Sequence, residues 1–133
     1  MNGESPLVDT SVLIDYFSGI NCRESAILDD LLEQGPPPTT AAIIVQEYLQ
    51  GLIDPTEFAL AEADLERFDR LPPPDYSLHL VAAENHVKMR RRGVTIPTID
   101  TLIVTMAHAA GCSLLTRDGR QKDLARFLKL KLC

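Results

Sequence analysis

The sequence has few cysteines and no apolar run long enough to cross a bilayer. Three cysteines stand among 133 residues. Cys22, Cys112 and Cys133 are scattered and form no Cys-x-x-Cys pair, which argues against a disulfide framework and against a zinc knuckle. Reduced, partly buried thiols are the expectation. The longest apolar stretch, Ala41 to Val45, is far too short for a membrane span. The opening Met1-Asn2-Gly3-Glu4-Ser5-Pro6 lacks a basic stretch followed by an apolar one, so no secretion signal is expected and the chain reads as cytoplasmic. Internal repeats, low-complexity tracts, a Gly-rich phosphate loop and a Walker A signature are all missing. His79, His86 and His108 make no His-Glu-x-x-His or similar spacing, and read as ordinary helical histidines.

An excess of positive charge is missing too. The formal net charge is -6, which argues against a uniformly basic nucleic-acid-binding surface. A net charge is a sum, however, and the cations are grouped: Lys88, Arg90, Arg91 and Arg92 in one place, Arg117, Arg120 and Lys122 in another. The first group fits two readings equally, a phosphate- or partner-binding patch and a complement to a helix C-terminus. Acids that serve as metal ligands have their charge offset by the cation they hold.

What is present suits one globular domain over residues 1–133, with 45% hydrophobic residues to build a core. Pro6-Leu7-Val8 reads as a short strand running into Asp9. Helical spacing follows over Thr10 to Ser18 and Arg23 to Gln34, stopped by Gly19 and Gly35. After Pro36-Pro37-Pro38, Thr39 and Thr40 are N-cap candidates for a helix from Ala41 to Leu52. Pro55 opens another, predicted over Thr56 to Arg70. Ser77 to Arg92 and Thr98 to Ala110 complete the helical run, closed by Gly93 and Gly111. Cys112 to Thr116 reads as a buried strand, Gly119 to Phe127 as a helix, and Leu128 to Leu132 as a last strand. Short apolar strands between helices predict an α/β sandwich with a small parallel sheet.

In such a sheet the carboxyl ends of the strands share one edge, where ligands bind. Asp9 and Asp118 each follow a predicted strand, so they can meet there. Asp100 sits in the first turn of its helix and shares a face with Ile103, Val104 and Ala107. Glu47 follows Ile43 and Ile44 on an apolar stripe. Neither acid has a Lys or Arg on its own helical face within one turn, and half-buried acids need a cation. Structural alternatives stay open for each: a helix cap at Asp9, dipole compensation at Asp100, a solvent-facing Glu47, a turn at Asp118. If they converge, three or four carboxylates suit one or two Mg²⁺ or Mn²⁺ ions and phosphodiester hydrolysis.

The same four positions carry a resemblance. Leu7-Val8-Asp9-Thr10-Ser11-Val12-Leu13-Ile14-Asp15 resembles the opening strand and turn of PIN domains, especially VapC-type toxins. Glu47 in Ile44-Val45-Gln46-Glu47-Tyr48-Leu49-Gln50-Gly51, Asp100 in Pro97-Thr98-Ile99-Asp100-Thr101-Leu102-Ile103, and Asp118 in Leu114-Leu115-Thr116-Arg117-Asp118 resemble the family's second, third and fourth acids, in the family's order. The resemblance implies a three-layer α/β/α PIN-like domain and an endoribonuclease dependent on Mg²⁺ or Mn²⁺. It also implies homodimers and a cognate VapB-type antitoxin in the acidic groove. It assigns Asp9, Glu47, Asp100 and Asp118 as the catalytic, metal-binding acids, Asp9 and Asp100 foremost, with Ser11 and Thr116 as hydroxyls that orient them. One departure stands out. Many VapC-like chains place a further acid and a Phe soon after the fourth Asp, whereas here Gly119-Arg120-Gln121-Lys122 precedes Asp123-Leu124. Asp15 reads as a surface or structural acid.

Two other readings compete. A haloacid-dehalogenase-type phosphatase also opens on an Asp at a strand end but wants a second Asp two residues later, where this chain has Ser11. The second rival is no enzyme: a phospho-acceptor receiver, or a non-catalytic acidic-pocket regulatory or metal-binding interaction module. Lys129 and Lys131 lie late, as a receiver would want, but its early paired acids are missing.

Overall fold

A computed structural model describes residues 5–133. The reading of the N-terminus as signal-free falls mostly on residues 1–4, outside the described residues. Among the described residues no helix is long and apolar enough to cross a membrane.

Among the described residues four strands form one sheet: β1 (Leu7–Val8), β2 (Thr39–Thr40), β3 (Asp69–Arg70) and β4 (Leu114–Leu115). Their spatial order is β3-β2-β1-β4, and every pairing is parallel. The helices that cross between them are α1 (Thr10–Phe17), α2 (Arg23–Gln34), α3 (Ala42–Leu49), α4 (Pro55–Leu65), α5 (Tyr76–Arg91) and α6 (Thr98–Ala110), and α7 (Gly119–Phe127) follows β4. The fold is α/β, a parallel sheet flanked by helices, as the sequence predicts. Parallel strands are covered on both faces. Leu7, Val8, Leu114 and Leu115 accordingly expose 0% of their surface, and each such burial contributes about 1.5–3 kcal/mol.

The chain steps outward from β1 to β2 to β3, then returns to the other side of β1 for β4. That reversal opens a crevice at the carboxyl ends of β1 and β4, the place where open α/β sheets bind ligands. The register pairs Leu7 with Leu114 and Val8 with Leu115, so the next residues out, Asp9 and Thr116, stand side by side. The Asp9 N–H continues the ladder by donating to the Leu115 carbonyl at 3.0 Å.

Helix α6 brings the third acid to this edge. Ile103, Val104 and Ala107 are fully buried, which fixes the helix face that Asp100 shares. A buried amide–hydroxyl contact, Asn85 Nδ2 donating to Thr105 Oγ1 at 3.0 Å, ties α6 to α5. Gly111 ends α6 at φ 72°, the left-handed conformation that glycine adopts without steric cost.

Four predicted segments need correction. Thr39 and Thr40 are not caps but strand β2, buried beside β1. The following helix starts at Ala42, with Ala41 as a cap that makes no side-chain bond, and ends at Leu49. The helix opened by Pro55 stops at Leu65, and Asp69–Arg70 pairs with β2 as an exposed edge strand. Charged edge strands resist further pairing, which hides them from any apolar pattern. The last strand shrinks to one bridge, Leu114 with Leu132. Lys129, at φ 60°, bends the chain out of the extended conformation there.

Candidate active site

Asp9 follows β1 and caps α1. Its Oδ2 accepts the Ser11 N–H at 3.0 Å and faces the Thr116 hydroxyl at 3.3 Å. The residue is 3% exposed. Asp118 follows β4 in the same way and caps α7. Its Oδ1 accepts the N–H groups of Arg120 and Gln121 at 2.8 and 3.1 Å. The cap readings of these two acids therefore hold together with their place at the sheet edge. The Thr116 hydroxyl joins them, because it also accepts the Asp118 N–H at 3.0 Å.

Asp100 is half-buried in the first turn of α6. Its Oδ1 accepts a hydrogen bond from Gln121 Nε2 at 3.0 Å, and the same nitrogen donates to Asp9 Oδ1 at 2.9 Å. One neutral amide thus bridges the acid of β1 and the acid of α6. Burial pushes the Asp100 carboxyl above its ordinary range, the Gln121 bond pulls it back, and the negative charges of Asp118, Asp9 and Glu47 push it further up. Glu47 is half-buried on α3, where its Oε1 accepts the Thr10 hydroxyl at 2.9 Å.

The four acids therefore share one neighbourhood without closing into a finished ligand set. Among the described residues no group of three or more His, Cys, Asp or Glu side chains stands ready to hold a metal. Asp9 and Asp100 are linked directly, through the Gln121 amide between them. Ser11 acts on Asp9 through its backbone N–H; its hydroxyl instead accepts the Arg117 N–H at 3.1 Å. Asp15 pairs with the Arg117 guanidinium, which also lies 3.8 Å from Glu24. Asp123 is exposed and sits 3.6 Å from Arg126.

A cleft beside the acids is lined by Asp100 and Asp118 together with Arg120, Lys122, Asp123 and Arg126. Cations thus flank the carboxylates on the α7 side. In the other basic group, Lys88, Arg90 and Arg91 occupy the last turn of α5, where positive charge suits the helix dipole. Arg92 stacks over the Phe127 ring at 4.5 Å. His79 and His86 line a separate groove with Ile99 and Leu102.

The donor chemistry suits a hard divalent cation: carboxylate oxygens rather than nitrogen or sulfur. Asp9 is buried with only neutral donors around it, which leaves an electrostatic need that a cation would meet. Gln121 and Thr10 carry no charge and so give no acidic signal in the sequence. The signal for Gln121 is its spacing: Gln121, Leu124 and Ala125 form the buried stripe of α7.

The PIN domain family model matches residues 7–127. No curated protein matches the chain. Several solved structures do. FitAcB from Neisseria gonorrhoeae aligns over 95% of this chain and 94% of its own, at 21% identity and a TM-score of 0.68. VapBC2 from Rickettsia felis, solved with a DNA fragment from its promoter, aligns over 96% of both chains, at 16% identity and a TM-score of 0.75. A toxin-antitoxin complex from Klebsiella pneumoniae aligns over 86% of this chain and 87% of its own, at 26% identity and a TM-score of 0.61.

Proposed function

This chain belongs to the PIN domain family, and on that premise we propose that it is a metal-dependent endoribonuclease, the toxin of a VapBC-type toxin-antitoxin pair. The observation that carries the reading is the Asp9–Asp100 pair at the switch point of the sheet, its facing oxygens held by one amide. Asp9 and Asp100 would hold Mg²⁺ or Mn²⁺, with Glu47 and Asp118 beside them. Such a cation supplies an activated water and neutralises charge on the attacked phosphate.

The chain's own residues do the positioning. Ser11 N–H and the Thr116 hydroxyl fix one oxygen of Asp9, leaving Oδ1 to face Asp100. Capping α7 fixes one oxygen of Asp118 against Arg120 and Gln121. Thr10 holds one oxygen of Glu47. Arg120, Lys122 and Arg126, lining the cleft with Asp100 and Asp118, would take the RNA backbone through its phosphates despite the net charge of -6. A VapB-type antitoxin as partner, and a homodimer, are part of the same proposal. The antitoxin draws support from the similar structures, among them VapBC2 and the toxin-antitoxin complex from Klebsiella pneumoniae.

The test is RNA cleavage with Mg²⁺ or Mn²⁺, with EDTA, and with Asp9→Asn. Cleavage that survives both EDTA and the substitution rejects the mechanism. RNA binding without cleavage under all conditions favours the interaction-module reading instead.

A further inference from the structure

Gln121 is a fully enclosed polar side chain set between two of the acids. It exposes 0% of its surface. Its Nε2 donates to Asp9 Oδ1 at 2.9 Å and to Asp100 Oδ1 at 3.0 Å, while its Oε1 is buried without a partner. The reverse orientation of the amide would point an oxygen at two carboxylates, so the charges around it fix which end is which.

We propose that the Gln121 amide is a placeholder for the divalent cation: it holds Asp9 and Asp100 together in the cation-free protein, and it must release Asp9 before an ion can take the pair. This rests on the metal-dependent reading of the acids. At Asp9 the oxygen it occupies is the one the cation needs. Asp9 Oδ2 is already committed to the Ser11 N–H and the Thr116 hydroxyl, which leaves Oδ1, and Oδ1 is the atom Gln121 holds. A small hard ion binds carboxylate oxygens at about 2.0–2.1 Å, closer than any N–H donor approaches, and the positive end of the amide repels it. Ion and amide therefore compete for Asp9 Oδ1, while Asp100 has a second oxygen that Gln121 does not hold.

The competition sets affinity. Two charge-assisted hydrogen bonds stabilise the cation-free state, and ion binding forfeits the one to Asp9. Release has one compensation, because the amide oxygen is then free of its enforced isolation. An apolar side chain at position 121 would leave the two acids repelling each other without relief, and a cation would then bind more tightly.

The experiment titrates the full-length chain with Mn²⁺, following the free ion by electron paramagnetic resonance, for wild type and Gln121→Met. Thermal unfolding is recorded in EDTA and at saturating Mn²⁺. Met keeps the length of the side chain and removes its donors. The expected result is Mn²⁺ binding about tenfold tighter in the variant, with a lower melting temperature in EDTA and a gap to wild type that closes when Mn²⁺ is bound. Equal or weaker Mn²⁺ binding by Gln121→Met overturns the placeholder, since it would make the amide a support for the loaded site. If Gln121→Met does not fold, Gln121→Asn, whose shorter amide does not reach both acids, carries the same two outcomes. Wild type that takes up no Mn²⁺ overturns the metal reading itself, and the placeholder with it.

Discussion

Thr116 Oγ1 lies 3.3 Å from Asp9 Oδ2, so a side chain at the end of β4 holds a carboxylate at the end of β1. The contact exists because the two strands are parallel neighbours in a register that sets these positions level. The same oxygen accepts the Asp118 N–H at 3.0 Å. Thr116→Val keeps the shape and removes both bonds. The expected outcome is a loss of about 1–3 kcal/mol in denaturant unfolding, because a half-buried N–H and a buried carboxylate each lose a partner. RNA cleavage should fall about 10–100-fold, as when a group that orients a metal ligand is removed. Thr116→Ser should recover most of both.

Asp9→Asn keeps the cap and removes the charge. Asn caps helices as well as Asp does, so the Ser11 N–H keeps an acceptor, but the new amide nitrogen meets the Gln121 Nε2 donor in a buried place, and stability in EDTA should fall by about 1–3 kcal/mol. Metal-supported cleavage should drop by at least about 100-fold, since a neutral amide is a poor ligand for a hard cation. Equal cleavage by the variant in a single-turnover assay would contradict the assignment.

The raised pKa of Asp100 makes a prediction about stability against pH. Its ordinary value is 3.8, and burial followed by the neighbouring negative charges lifts it in the folded protein. The folded state therefore holds the proton more tightly than the unfolded one. The stabilising contribution is full below the ordinary value and is lost as pH rises through the raised one. In EDTA, Asp100→Asn should gain stability over wild type with rising pH and show no such gain in strong acid. Melting curves across this range check it; a gap that widens toward acid would contradict burial and like charge as the cause.

Lys122 and Arg120 line the cleft beside Asp100 and Asp118. If they meet RNA phosphates, replacing both with Ala should weaken RNA binding and leave the turnover of bound RNA close to wild type. The slope of log affinity against log salt should also fall by about 0.7 for each single-strand phosphate contact removed. A slope that does not change would mean that the RNA path lies elsewhere. Filter binding at several salt concentrations measures it.

Much of this molecule is legible in its sequence. The stripes Val12-Leu13 and Ile103-Val104-Ala107 have helical spacing and are buried as that spacing requires. Leu7-Val8 and Leu114-Leu115 are short apolar runs between breakers, and they form the central strands. Periodicity is a local property, so it survives in the sequence. Strands β2 and β3 are not legible, because two-residue strands such as Thr39–Thr40 and Asp69–Arg70 show no alternation and contain good cap or surface residues.

The sequence by itself determined that Asp9 and Asp118 follow strands and that Asp100 shares a buried helix face, since chain position and side-chain spacing decide those things. Only the tertiary structure decided that β4 lies against β1, that Thr116 reaches Asp9, and that the amide of Gln121 sits between Asp9 and Asp100. These contacts join residues far apart in the chain, and their distances depend on how α6 and α7 pack at the sheet edge. A neutral glutamine has no charge pattern to announce it; its role comes from the enclosed place into which the fold puts it.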